Sequence, residues 1–264
     1  MMNSELNNIS TGKAPKITVI TVVYNSRQLL RNTILSVLNQ TFKEWEYVII
    51  DGGSNDGTID IIKDYSRFLA FWVSEKDKGI YDAMNKGLKA ARGEYVLFLN
   101  SGDLLADERV LEGVFSNNIE EDCYYGETLL IEESGKILGT RSDLTTRKLP
   151  TVLTWKDMIN GMVVSHQSII FRREIVKEYN LNFRCSADID WVIRGLKSSA
   201  NILNTGIPIS KYLVGGFSIK NQKVCLKERW KIYVMHYGII RTIYAHLILL
   251  IKNIGFTLKG KTNY

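Results

Sequence analysis

The chain has 264 residues, 45% hydrophobic and 23% charged, which is enough to bury a substantial core in one domain, or in one domain plus a tail. A formal net charge of +6 and a pI of about 9.0 point to an anionic partner. Cys123, Cys185 and Cys225 are scattered and form no CxxC pair, which excludes a disulfide framework and a cysteine zinc site and fits a reducing compartment. The N-terminus has no apolar h-region of a signal peptide, and no unbroken apolar run reaches the roughly 18 residues of a spanning helix.

Residues 1–15 are polar and rich in Asn and Ser, the composition of a disordered terminus. Ile17 to Val23 alternates β-branched residues with Thr and predicts a strand, ending at Tyr24-Asn25-Ser26 where a helix cap can form. Leu29, Leu30, Ile34, Val37 and Leu38 then recur at helical spacing. Trp45 to Ile50 predicts a second strand ending in Asp51, followed by a short helix with Ile59, Ile62 and Tyr65 inward; Phe71 to Ser74 predicts a third strand. In the next helix Ile80, Ala83, Met84, Gly87, Leu88 and Ala91 form the apolar stripe, Asp82, Asn85, Lys86 and Lys89 fall off it, and Gly93 reads as its stop. Tyr95 to Leu99 is an apolar run of the kind buried on both faces in a parallel sheet, closing on Asn100-Ser101-Gly102-Asp103.

The second half is less regular. Tyr124 to Ile131 and Lys136 to Gly139 predict a hairpin, residues 140–165 a surface segment over one end of the sheet, Ser168 to Phe171 a strand, Arg173 to Tyr179 a short helix and Asp188 to Lys197 another. From Lys220 onward basic and aromatic residues dominate and Glu228 is the only acid. The alternation of strand and helix predicts an α/β fold with a mostly parallel central sheet flanked by helices over residues 16–219, followed by a basic, amphipathic helical tail over 220–264.

Small polar or acidic clusters end three predicted parallel strands, at Tyr24-Asn25, at Asp51 and at Asn100 to Asp103. Ligands of open α/β sheets bind outside such strand ends, so three endings on one edge predict a shared site. Two other patterns are set aside. Gly255 to Thr262 spells a P-loop without the strand and following helix that motif requires, and the Asp51 to Gly57 segment has Ile62 where a calcium loop needs a bidentate Glu.

The segments Ile20 to Asn25, Ile50 to Thr58, Asn85-Lys86-Gly87 and Ala91 to Asp103 resemble, in order and in register, the inverting GT-A glycosyltransferases of family 2. A weaker match continues through Ala187 to Trp191 and Gly215 to Ser218. The resemblance implies a Rossmann-like GT-A fold and transfer of a sugar from a nucleotide donor, UDP-linked, to an acceptor hydroxyl. It implies donor contacts from Val22, Tyr24, Asp51, Asp82, Ser101 and Asp103, with a divalent cation, Mn²⁺ or Mg²⁺, at Asp103. It also implies a lipid-linked saccharide acceptor in surface polysaccharide synthesis on the cytoplasmic side of the membrane.

The family's acidic Asp-x-Asp pattern is replaced here by Asn100 and Gly102, leaving Asp103, whose side chain is expected to face solvent. That loss keeps a second reading open, a non-catalytic nucleotide-sugar or glycan-binding protein. Asp188, at the start of a predicted helix, matches the general base of the family, with Asp190 as competitor and a helix cap as the alternative use. His166 is a candidate contact to diphosphate, metal or acceptor, or a plain hydrogen-bonded residue; His236 and His246 read as incidental. No nucleic-acid module is visible. The tail predicts peripheral contact with an anionic membrane, separable from a site lying wholly before residue 220.

Overall fold

A computed structural model describes residues 14–116, 119–215 and 222–258, with residues 222 and 252–258 described by backbone alone. Residues 1–13, Gly216 to Ser218 of the second-half motif, and the P-loop letters from Lys259 onward lie outside the described residues. Strands β1 (Ile17–Val23), β2 (Trp45–Asp51), β3 (Phe71–Ser74) and β4 (Tyr95–Phe98) alternate with helices α1 (Arg27–Leu38), α2 (Thr58–Tyr65) and α3 (Ile80–Ala90). Then come β5 (Leu104–Leu105), α4 (Val110–Phe115), the hairpin of β6 (Cys123–Ile131) and β7 (Ile137–Thr140), α5 (Arg141–Leu144), β8 (Ile169–Arg172), α6 (Ala187–Ser198) and β9 (Ile202–Leu213). Two helices close the described chain, α7 (Gln222–Tyr237) and α8 (Ile239–Leu258).

All strands join one sheet in the order β3-β2-β1-β4-β8-β6-β9-β5, with β7 on β6. The β1–β4 strands are mutually parallel, as their helical crossovers require, so their carboxyl ends share one edge. β8 pairs antiparallel with both β4 and β6, and so splices the second half onto that parallel unit.

Strand alternation divides the core. Ile17, Val19, Tyr95 and Leu97 pack with α1, α2 and α4 on one face; Ile20, Val22, Val96 and Phe98 pack with α3 and α6 on the other. Two glycines permit close approach. A Cβ on Gly87 would lie 2.4 Å from Ile20, so α3 sits flush on β1. A Cβ on Gly93 would lie 2.4 Å from the Thr18 nitrogen, so Gly93 serves strand packing; α3 has already ended at Ala90.

Other expectations change for stated reasons. On α2, Thr58, Ile61 and Ile62 are buried and Ile59 is not. Asn85 is buried because its amide locks the Tyr179 backbone, donating to Tyr179 O at 3.0 Å and accepting from Tyr179 N at 2.7 Å. The helix expected over Arg173 to Tyr179 is a single 3₁₀ turn, Arg173–Ile175, after which the chain runs on to insert Tyr179 into the core. Residues 140–165 are more than a surface segment, since they bury Leu153, Met158, Val163 and Val164 in the core that also holds α3 and α6.

The tail is not separable at α7. Ile232, Tyr233 and Tyr237 are core residues, and Glu228 accepts from the backbone nitrogens of Arg184 (2.8 Å), Cys185 (2.8 Å) and Ser186 (3.1 Å), the turn that launches α6. His236 is likewise no incidental residue, since its Nε2 meets Asp190 at 2.8 Å.

Candidate active site

The site is built at the common edge of β1, β2 and β4. Asn25, with φ 46°, turns the chain out of β1; Asn is among the few residues that tolerate this left-handed geometry. Its N–H donates to Ser54 Oγ (2.8 Å), and its side-chain oxygen accepts from Asn55 N (2.9 Å), lacing the β1 loop to the β2 loop. Asp51, at the end of β2, is buried and accepts from Gly53 N (3.1 Å), Ser54 N (2.9 Å), Ser54 Oγ and Ser74 Oγ (2.6 Å). Its carboxylate thereby shapes the loop. Gly52 beside it leaves room between Tyr24 and Asp77: an added Cβ would sit 3.0 Å from the Asp77 carboxylate and 3.4 Å from the Tyr24 ring. Tyr24 itself is 65% exposed, an unusual placement for a large ring and one that suits a ligand-facing surface.

Lys86 gathers Glu75 (2.7 Å), Asp77 (2.5 Å) and, more distantly, Asp82 (3.9 Å) at the mouth of this edge. Asp82 also accepts from Lys78 N at 3.0 Å, which fixes the loop entering α3. Val22 is buried; its carbonyl accepts from Ser101 N (3.3 Å), and Ser101 Oγ donates to Ser26 Oγ (2.9 Å).

Asp103 is not solvent-facing. Gly102, at φ 101°, turns the chain after β4 so that Asp103 points inward, where Gln167 Nε2 (2.8 Å) and Leu213 N (3.2 Å) donate to its two oxygens. Among the described residues no cation pairs with it, and burial pushes its pKa up to about 7. The Asn100 Oδ1, one turn earlier, is buried with no hydrogen-bond partner. One carboxylate and one free amide oxygen are hard oxygen donors, suited to a cation that takes few protein ligands and completes its shell with waters and phosphates. Among the described residues no trio of His, Cys, Asp or Glu forms a fuller cage.

Asp188 lies half-buried in the first turn of α6 and accepts from the Tyr81 hydroxyl at 2.9 Å. Burial raises its pKa; the Tyr81 hydrogen bond and the nearby Arg229 charge hold the rise back. Tyr212, on β9, draws the site together: its hydroxyl is pushed up to about 12 by burial and by the carboxylates of both Asp103 and Asp188. Both acids thus bear on this one hydroxyl.

Asp190 and His166 do not join them. Asp190 is buried on another side of α6, paired with Arg194 Nε and His236 Nε2, both at 2.8 Å. Residues 188 and 190 are about 200° apart around a helix, so both cannot face one cleft. His166 is buried against the rings of Phe98, Trp191 and Tyr179, with Nε2 2.7 Å from the Tyr179 hydroxyl, and burial drops its pKa to about 3. It is a neutral core histidine, and its neighbour Gln167 reaches Asp103 instead.

Three of the matched segments, those ending at Asn25, Thr58 and Asp103, thus extend past β1, β2 and β4 at the shared edge of the parallel half, and the fourth, Asn85-Lys86-Gly87, lies within α3. The model of the family described as "Glycosyl transferase family 2" matches residues 18–179. The chain belongs to this family. Among its relatives, a Bacillus subtilis protein named for teichuronic acid biosynthesis, TuaG, is 28% identical over 231 residues, covering 84% of this chain and 89% of that one. A glycosyltransferase of PGL/p-HBAD biosynthesis from Mycobacterium tuberculosis is 31% identical over 196 residues, 71% and 72% of the two chains. The fold is that of solved family structures. The Staphylococcus aureus TarS fragment 1–349 in complex with UDP-GlcNAc superposes with TM-score 0.65 at 19% identity over 83% of this chain, which spans 65% of that fragment. A Pyrobaculum calidifontis mannosyltransferase in complex with GDP-Man and Mn²⁺ gives 0.62 at 15% identity, over 95% and 77% of the two chains. This chain is accordingly a glycosyltransferase of GT-A fold.

Proposed function

We propose that the protein transfers a sugar, with inversion, from a nucleoside-diphosphate donor to an acceptor hydroxyl in the synthesis of a surface polysaccharide. The observation that supports this is a pair of differently buried carboxylates in a family 2 chain, Asp103 held by Gln167 and Leu213 and Asp188 held by Tyr81. Asp188 takes the proton of the acceptor hydroxyl as that oxygen bonds to the anomeric carbon. The bond from that carbon to the diphosphate breaks on the opposite face, and the nucleoside diphosphate leaves with the electron pair. An elevated pKa suits Asp188 to this work, since a stronger base gains more from the proton. Asp103 and Asn100 would hold Mn²⁺ or Mg²⁺, which when bound offsets the charge growing on the leaving diphosphate. Tyr24, Val22, Asp51, Asp82 and Ser101 line or brace the donor edge. The UDP-GlcNAc and GDP-Man complexes of the structural neighbours support a nucleotide-sugar donor.

A lipid-borne acceptor is favoured by α8. Ile240, Ile243, Tyr244, Leu247 and Ile251 fall on one helical stripe, each at least 46% exposed. With Lys223, Lys227, Lys231 and Arg241 nearby in sequence, the stripe suits the headgroup region of an anionic bilayer. No helix among the described residues is long and apolar enough to cross a membrane.

The test is a panel of UDP- and GDP-sugars, each assayed for hydrolysis with Mn²⁺ and with chelator. Hydrolysis of one donor that is lost in Asp103→Ala is expected. A folded protein that binds nucleotide sugar and turns none over, with or without lipid acceptor, would make it a binding protein.

A further inference from the structure

Arg141, Arg147 and Arg229 follow one another as neighbours, and Arg229 bears on Asp188. Arg141 spends its guanidinium on the carbonyls of Val163 (Nη1, 3.1 Å) and Met162. Arg147 lies against Gly161, where a Cβ would come within 3.2 Å of its Nε, and its guanidinium has no hydrogen bond to a described residue. Arg229 enters from α7 with its Nε buried and without a partner. Tyr233, one turn further on the same face of α7, is fully buried, and its hydroxyl lies near the backbone of the same Gly161 without full hydrogen-bonding geometry among the described residues.

Counter-charge is scarce. None of the three arginines forms an ion pair among the described residues; the acids that face them are Glu127, beside Arg141, and Asp188 itself, beside Arg229. Glu228, the only acid after residue 213, is committed to three backbone nitrogens before α6. Burial, and then the charge of its neighbour Arg229, lower the pKa of Arg147. Buried donors without acceptors are costly, and two guanidiniums brought together with no ion-pair partner among the described residues are costlier. Such a cluster is relieved by a ligand with two negative charges and several acceptor oxygens, which describes a phosphoryl group better than a monoanionic carboxylate. After burial, the charges that act on Tyr233 are those of Arg229, Arg147 and Asp188.

We propose that Arg147, Arg229 and the Tyr233 hydroxyl form a subsite for a phosphoryl group carried by the acceptor, next to the base that deprotonates it. The word acceptor rests on the glycosyltransferase reading above; the anion site does not. The phosphate belongs either to a lipid diphosphate or to a terminal phosphomonoester of a polymer.

The experiment is calorimetry on the full chain in chelator, with inorganic pyrophosphate, farnesyl diphosphate and glucuronate as probes. Pyrophosphate is expected to bind, at least tenfold more weakly in Arg229→Gln and in Arg147→Gln and several-fold more weakly in Tyr233→Phe. Mn²⁺-dependent binding of UDP or GDP should change less than threefold in all three variants. Tighter binding of farnesyl diphosphate than of pyrophosphate assigns the lipid source; equal binding assigns the polymer. Glucuronate binding as tightly as pyrophosphate overturns the phosphoryl assignment. Pyrophosphate binding that survives all three substitutions and disappears in Asp103→Ala overturns the subsite. Tyr233→Phe, which keeps the packed ring, guards against an arginine variant that fails to fold. Wild type that binds pyrophosphate through these residues and no nucleotide would sink the transferase reading and leave the anion site standing.

Discussion

Replacing Asp103 by Asn should stabilise the metal-free protein at alkaline pH and do nearly nothing at acidic pH. The folded-state pKa of Asp103 is about 7, against about 3.8 for a free carboxyl, because burial penalises the ionised form. A raised carboxyl pKa means that the unfolded chain releases the proton first. Stability is therefore intact below pH 3.8, falls as pH rises between 3.8 and 7, and levels off above. About three units at 1.36 kcal/mol each is a loss of about 4 kcal/mol at pH 8, and under about 2 kcal/mol at pH 5. Asn carries no charge and escapes it. Its amide meets two donors, Gln167 Nε2 and Leu213 N; its oxygen can serve Leu213, and a flip of the Gln167 amide restores the second bond, at a residual cost of about 1 kcal/mol. Urea unfolding in chelator should show Asp103→Asn more stable than wild type by about 2–3 kcal/mol at pH 8 and within about 1 kcal/mol of it at pH 4. Added Mn²⁺ should then raise wild type alone. A variant less stable than wild type at pH 8 in chelator would refute the reasoning, because it would mean that the ionised carboxylate is already well compensated.

Asp188→Asn should lower the turnover rate by a factor of about 10²–10⁴ with donor affinity retained. In Tyr81→Phe, which removes a hydrogen bond to the ionised form, the acidic limb of the pH–rate profile should move to higher pH; an unmoved limb would remove Asp188 from the base role. Asp190→Asn should cost stability rather than chemistry, about 1–3 kcal/mol, since it breaks buried bonds to Arg194 and His236. Burial opposes ionisation there, but the His236 bond and the Arg194 charge win and hold the Asp190 pKa low, so its contribution is complete above pH 3.8 and lost only as pH falls through the folded value. Loss of turnover at unchanged stability would exchange the roles of the two acids. Ile240→Asp with Leu247→Asp should abolish co-sedimentation with anionic vesicles at low salt; equal sedimentation of variant and wild type would make the α8 stripe something other than a lipid contact.

The parallel half was legible because its signals are local. Tyr95 to Leu99 is apolar on both faces, and strand ends with Asp51 and Asp103 follow from strand length alone. What local pattern cannot carry is direction after a tight turn. The four polar residues after β4 read as solvated, yet Gly102 at positive φ folds Asp103 under β9 and Gln167. Ser165-His166-Gln167-Ser168 misled for the same reason: the histidine drew attention by type, while the backbone turned the glutamine toward the site. Asn85 read as a surface residue by helical spacing, because its partner, the Tyr179 backbone, is 94 residues away.

The tail shows a deeper limit. Composition divides the chain at Lys220, since basic and aromatic residues crowd there and acids nearly vanish. It is blind to the single acid that matters. Glu228 closes the turn before Asp188 through three backbone bonds, and Arg229 beside it bears on the Asp188 carboxylate, so adjacent residues of α7 brace the start of α6. On the proposed reading, in which Asp188 is the base and the acceptor is borne on a lipid, a surface that engages α8 is connected to that base through one short helix pair, because the inner face of α7 braces the turn before Asp188 while the outer stripe of α8 meets solvent.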